Sequence, residues 1–392
     1  MAVATQAVPS HLTVLVVDDD ALFINALRRS LLRLAPEWQV ITANGVQQAE
    51  AMMLSTHHID MLITDRRMLD GAGEDLLVWT AQHSSLTMRV LITGEQSEQV
   101  LLATSQSAHM LLAKPFSDRQ LKELFDRFAQ LQSMQLPLAV RELIGSHFQM
   151  PVLPAVYQQY VRLAEQESTT NVQLADVISQ DLVMSSRLLQ IANSAYLGFS
   201  RTTTSLSEAI SRLGRQAVQS IVLSLSMFEH YAQRIDAKLH YQLQHDAMQL
   251  GMFCRTLSKH TGDKSTQQET AFMVGLLCQL GNLVWLTDIN DEAHQQLQQA
   301  MTMQQLKPYQ LSAYLLILWG FPIEVIRAIA GYAPFSDSLS GADKYTVILF
   351  VAHVFKQKQS LEELCKQAPQ LVSVLAQHQL EQAIVLTENE QH

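Results

Sequence analysis

Ile59-Asp60-Met61-Leu62-Ile63-Thr64-Asp65 is a short apolar run that ends on a carboxylate and gives way to the turn-forming Asp70-Gly71-Ala72-Gly73. That pattern predicts a strand buried on both faces, as in a parallel sheet, with Asp65 at its C-terminal edge. Upstream, Leu12-Thr13-Val14-Leu15-Val16-Val17 follows the same plan and delivers Asp18, Asp19 and Asp20. In open α/β sheets, ligands gather beyond the carboxyl ends of the strands. Acidic groups converging there must share a cation or repel one another, and oxygen-only ligation suits Mg²⁺. Arg89-Val90-Leu91-Ile92, ending in Thr93-Gly94, and His109-Met110-Leu111-Leu112-Ala113, ending in Lys114-Pro115-Phe116, predict two more strands.

Between the strands the period changes. Ala21–Leu34 carries Leu22, Ala26, Leu27, Leu31 and Leu34 on one helical stripe and stops before Pro36. Trp38–Ala43 reads as a strand and Val46–Leu54 as a helix; the alternation closes with a helix over Ser117–Leu131. The order implies a doubly wound, five-stranded parallel sheet. The last stripe, Leu121, Leu124, Phe128 and Leu131, reaches Leu138 past a polar break at Gln135. It fits either a dimerising coiled coil or a face packed on its own sheet.

The ordered set Asp18/Asp19, Asp65, Thr93 and Lys114-Pro115 resembles that of two-component response regulators, in their CheY-like receiver domain, over residues 12–132 after a tail of residues 1–11. The resemblance implies that Asp65 is a phosphoacceptor loaded from a phosphohistidine on a sensor histidine kinase. It implies Mg²⁺ held by Asp18, Asp19, Asp65 and the Arg67 backbone carbonyl, phosphoryl oxygens bound by Thr93 and Lys114, and a cis Pro115. The chemistry agrees, since a carboxylate attacking phosphorus needs the phosphoryl charge neutralised more than it needs covalent help. Two positions depart from the pattern: Leu69 stands where receivers usually carry proline, and Leu111 where they often carry an aromatic switch. The usual threonine–aromatic coupling cannot operate as written.

At 392 residues the chain exceeds one ordinary core, so a second domain is expected. A formal net charge of −10 argues against a broad nucleic-acid surface, and no DNA partner is expected. Cys254, Cys278 and Cys365 form no CxxC pair, which fits a reducing compartment. Met1–Ser10 has no signal-peptide pattern, and the apolar runs Leu315–Trp319 and Val347–Val351 are too short for a bilayer. A cytoplasmic protein without a membrane partner is the expectation.

Pro137, Pro151 and Pro154 punctuate residues 133–153, a linker with one short helix near Val140–Ile144. Beyond it Val156–Glu167, Val172–Ser179, Val183–Ala192, Leu206–Leu213 and Ala217–Tyr231 all show helical spacing, so the second domain is all-α. Met150-Pro151-Val152-Leu153-Pro154, Leu188-Leu189-Gln190-Ile191-Ala192-Asn193-Ser194-Ala195-Tyr196, Ser205–Gly214 and Phe272–Gly281 together resemble an HDOD domain, a helical relative of the HD phosphohydrolases, over residues 140–335. Ser205 and Glu208 form a capping-box pattern. Arg187, Asn193 and Ser194 are either structural or the rim of a polar recognition pocket. Residues 336–392 hold two further helical stretches, Lys344–Phe355 and Leu361–Gln379, and a frayed acidic end, Glu388–His392.

HD enzymes hold a metal through a histidine, an adjacent His-Asp pair and a later aspartate. Here Cys278-Gln279 stands at the pair, and His353 lies where the last aspartate is sought. His245-Asp246, in the first-histidine region, is a His-Asp dipeptide without partners. The expected function is a non-enzymatic, phosphorylation-dependent response regulator whose HDOD domain acts by protein interaction with a downstream signalling partner; a receiver homodimer is compatible. The alternatives are a degenerate HD-type cyclic-dinucleotide phosphodiesterase and a nucleotide sensor.

Overall fold

A computed structural model describes residues 12–56, 58–94, 108–134, 136–146, 155–164, 166, 168–193, 201–232, 234–286, 292–319, 321–332, 339, 341–357, 365–366 and 370–389. The tail 1–11 and the segments Met150–Pro154 and Ser194–Tyr196 lie outside them. The chain divides into two compact units between Val152 and Leu153.

In the first unit the order is β1 (Leu12–Val17), α1 (Ala21–Leu34), β2 (Trp38–Ala43), α2 (Val46–Ser55), β3 (Met61–Asp65), β4 (Arg67–Met68), β5 (Gly71–Ala72), α3 (Gly73–His83), β6 (Met88–Thr93), β7 (Met110–Ala113), α4 (Asp118–Ser133) and α5 (Leu138–Ser146). Five strands form one parallel sheet, β2-β1-β3-β6-β7. β4 and β5 make a two-residue antiparallel ribbon after β3. β1, β3 and β6 are almost wholly buried because helices cover both sheet faces, which is why they read as continuous apolar runs.

Alternate residues serve opposite faces. Leu15 and Val17 pack with Ala43, Ala49, Leu62, Leu76, Leu77 and Leu91. Across the sheet, Trp38 meets Phe125 and Phe128 of α4 edge-on, with centroids 4.8 and 5.0 Å away. The α4 stripe is therefore spent on its own sheet: Leu121, Leu124, Phe125, Phe128 and Leu131 are all buried. Met134, extended at φ −71° and ψ 130°, ends α4, so no single helix carries the seam to Leu138. α5 packs beside α3.

Among the described residues the second unit is helical throughout: α6 (Ala155–Ala164), α7 (Asn171–Ser179), α8 (Leu182–Ala192), α9 (Leu206–Leu213), α10 (Arg215–Tyr231), α11 (Ala237–His260), α12 (Ser265–Leu277), α13 (Leu280–Trp285), α14 (Glu292–Met303), α15 (Pro308–Leu318), α16 (Ile323–Ala330), α17 (Lys344–Lys356), α18 (Gln370–Gln377) and α19 (Leu380–Asn389). α11 is the central helix, packed on α12, α17 and α19. The acidic end is not frayed where it is described. Gln379, at φ +57°, breaks the chain after α18, and α19 buries Leu380, Ala383 and Ile384. Thr387 Oγ1 lies 3.1 Å from His260 Nδ1, tying α19 to α11.

One capping detail differs from the sequence reading, and a second went unread. Ser205 accepts from Glu208 N–H at 3.3 Å, but the Glu208 carboxylate turns instead to Thr203 Oγ1 and Arg212. The Ser205 N–H donates to Thr203 Oγ1, so half of the capping box is taken over by Thr203. At Gly214, φ +90° combines with a lack of room: a Cβ there would fall 2.0 Å from the Glu269 carboxyl carbon. That carboxylate accepts from the N–H groups of Gln216 and Ala217, capping α10.

Candidate functional site

Strand register brings the site together. Val17 lies opposite Thr64, which sets Asp18 level with Asp65 one residue beyond. Asp65 pairs with Ile92, so Thr93 follows immediately, and Thr93 pairs with Ala113, which places Lys114 just past the edge. The Lys114 N–H donates to Thr93 O at 2.8 Å, and the Lys114-Pro115 bond is cis. Gly73 opens α3 against β3: a Cβ there would sit 2.1 Å from the Asp65 carbonyl oxygen, so only glycine lets the helix start so close to the site.

Lys114 Nζ donates to Asp65 Oδ1 at 2.6 Å and to Asp18 Oδ2 at 3.0 Å. The Arg67 N–H donates to Asp65 Oδ2 at 2.9 Å, so both Asp65 oxygens are fixed. Asp18 is buried and also accepts from Asp20 N–H. Burial raises its pKa despite that bond and the lysine beside it. Burial pulls Lys114 the other way, yet its two carboxylate partners outweigh this and raise its pKa. Thr93 is buried at the end of β6.

Two aspartates stand differently from the shared-cation picture. Asp20 is the N-cap of α1, accepting from Leu22 and Phe23 N–H, so it has left the acidic cluster for the helix end. Asp19 Oδ2 accepts from Leu69 N–H at 3.0 Å, which spans the mouth of the site. Among the described residues no three His, Cys, Asp or Glu side chains are gathered as a metal cradle. The donor chemistry nonetheless suits a hard cation: Asp18, Asp19 and Asp65 bring oxygen ligands only, and one ammonium leaves their charge partly unbalanced. Sequence reasoning missed Phe23, whose ring centroid lies 3.9 Å from Lys114 Nζ.

In the second unit, Asp246 pairs with Lys356 Nζ at 2.7 Å, while the His245 ring lies parallel to Tyr241. Cys278 is buried, donates to Gly275 O, and has its thiol pushed up to about 12 by burial. Gln279 Oε1 accepts from Asn282 Nδ2 at 2.5 Å. His353 bonds Leu349 O through Nδ1 and stacks on Tyr332 at 4.6 Å. Lys356 lies near enough to act on Cys278 and His353 electrostatically. Three of the HD-type positions, Asp246, Cys278 and His353, thus share one ammonium as a neighbour. Asn193, the C-cap of α8, clasps Thr203 through both its amide atoms, at 2.7 and 2.8 Å, which is a structural use of the side chain. Arg187 lines an open, roughly 390 Å³ depression with Leu182, Ser186 and Gln190.

Residues 14–126 match the family model of the response regulator receiver domain, and residues 150–333 match that of the HDOD domain. The chain is a receiver domain followed by an HDOD domain. An uncharacterised protein of Treponema pallidum (strain Nichols) is 30% identical to this receiver–HDOD chain over 159 residues, 40% of this chain and 29% of that protein. The chain thus spans less than a third of that relative's length. The signal receiver domain of an HD domain-containing protein from Pseudomonas fluorescens Pf-5 is 21% identical, with a TM-score of 0.30, covering 33% of this chain and 95% of its own. A protein of Shewanella amazonensis SB2B, provisionally named a phosphohydrolase, is 18% identical at a TM-score of 0.47, covering 64% of this chain and 93% of its own. Among the described residues no helix is long and apolar enough to cross a membrane.

Proposed function

We propose that this receiver–HDOD protein is a phosphorylation-dependent response regulator in which Asp65 accepts a phosphoryl group from the phosphohistidine of a sensor histidine kinase. The observation that carries the reading is the Lys114 ammonium bridging Asp65 and Asp18 at the carboxyl edge of the sheet. An Asp65 oxygen attacks phosphorus, a P–O bond forms, and the P–N bond breaks with its electron pair returning to the imidazole, which takes up a proton. Lys114 and the Arg67 N–H hold both carboxylate oxygens, so the nucleophile is oriented before the donor arrives. Lys114 and the Thr93 hydroxyl then meet the phosphoryl oxygens, where charge accumulates. Bound Mg²⁺, held by Asp18, Asp19, Asp65 and the Arg67 carbonyl, would neutralise the remaining phosphoryl charge.

The HDOD domain acts in this reading by binding a downstream signalling protein. Its HD-type positions offer a protonated thiol, an amide, the His353 imidazole with Nδ1 on Leu349 O, and a carboxylate already paired with Lys356, a set poorly suited to activating a metal-bound water. A cytoplasmic location follows from the kinase donor. Intact-mass spectrometry with acetyl phosphate and Mg²⁺ tests the acceptor: one phosphoryl adduct is expected on the wild type and none on Asp65→Asn. A wild type that takes no adduct from acetyl phosphate or from a kinase donor sinks the acceptor assignment. Turnover of a cyclic dinucleotide by the purified protein would sink the non-catalytic one.

A further inference from the structure

Lys114 has three N–H donors, and carboxylates account for two of them. The face of Phe23, 3.9 Å away, receives the remaining side of the ammonium. Phe23 sits in the first turn of α1, where Asp20 caps its backbone N–H. Its ring meets Phe116 edge-on, with centroids 6.1 Å apart at 83°. The half-buried lysine is therefore flanked by two carboxylates and by one ring of α1, which Phe116 braces from the side.

We propose that Phe23 is a positioning residue for Lys114, holding the ammonium over Asp65 while its carboxylate partners are drawn away. The inference rests on Asp65 being the phosphoacceptor. Once the phosphoryl group is attached, the esterified Asp65 oxygen no longer carries anionic charge. A divalent cation, if held by Asp18, Asp19 and Asp65, would compete with the lysine for Asp18. Both carboxylate pairs would weaken as the lysine turns to the phosphoryl oxygens, whereas the contact with a ring face is neither ligated nor titrated and persists through the exchange of partners. Phe23, braced edge-on by Phe116, also gives the chain an aromatic contact to the lysine, in a sequence that carries leucine at the expected proline and aromatic positions, 69 and 111.

The test replaces Phe23 with mono-, di- and trifluorophenylalanine, which keep nearly the same shape while removing negative charge from the ring face. The full-length protein is phosphorylated with acetyl phosphate and Mg²⁺, and the rate is read by intact mass. The rate is expected to fall stepwise with fluorine count, at an unchanged thermal midpoint. Phe23→Tyr should keep the wild-type rate, and Phe23→Leu should lose roughly 3- to 30-fold. A wild type that is phosphorylated, with a flat fluorination series, overturns the role of Phe23 alone. A wild type that takes no phosphoryl group overturns it together with the Asp65 assignment.

Discussion

His353, on α17, is half-buried with its ring stacked on Tyr332, and this burial lowers its pKa to about 4. In the unfolded chain the same imidazole takes a proton near pH 6.5. The folded state therefore loses stability as the pH falls below about 6.5, by roughly 1.4 kcal/mol per unit, until the folded pKa is reached. Urea midpoints of the wild type should drop between pH 7.5 and 5.5, and His353→Leu should flatten that drop; equal slopes would show that His353 is not the group responsible. At this scale, the residues that stand at strand ends were legible from sequence. Asp18, Asp65, Thr93 and Lys114 are placed by the ends of continuous apolar runs and a parallel register that leave each little choice. Phe23 was not legible, because its contact with Lys114 joins positions 91 residues apart and no local pattern records it. Asp20 could have been read, since an aspartate directly before a helical stripe is a strong N-cap.

Strands and helices of the first unit followed the apolar period closely, with β1, α1 and β2 ending at the residues expected. In the second unit helix identity was equally legible up to Gln379, where the last helical stretch was expected to end, but α19 beyond it was not read. Its apolar run is short, and the acidic residues that follow suggested a frayed end. The Ser205–Glu208 pattern misled for a different reason: a capping box is defined by local spacing, whereas Thr203 and Arg212 compete for the same carboxylate. Gly214 is the element-scale position with the least tolerance. Gly214→Ala should cost at least about 2 kcal/mol, since it combines a conformation suited to glycine with displacement of the Glu269 cap. Chemical denaturation checks this. Glu269→Ala with Gly214→Ala should recover part of the loss, and a neutral Gly214→Ala would show the cap to be dispensable.

For the whole chain, the proposed output requires that phosphorylation bias a two-state receiver and that the HDOD domain respond. Hydrogen exchange with and without beryllofluoride and Mg²⁺ should show altered protection in residues 155–332, absent in Asp65→Asn. A change confined to the receiver would leave a phosphate store without output. The sequence could foretell two domains and their order, because short apolar strand runs separated by helices stop at the prolines and only helical spacing follows. It could not foretell coupling, which depends on free-energy differences between states that no residue pattern states. One packing detail offers an optical reporter of the receiver once Trp79, Trp285 and Trp319 are replaced by phenylalanine. Trp38, 4% exposed and wedged between Phe125 and Phe128, sits in a rigid, chiral, water-free cage. Its indole should emit at the blue end of the tryptophan range and contribute to a sharp near-ultraviolet dichroism band. Loss of that band would time the melting of the α4–β2 contact separately from any helical signal, which the second unit dominates.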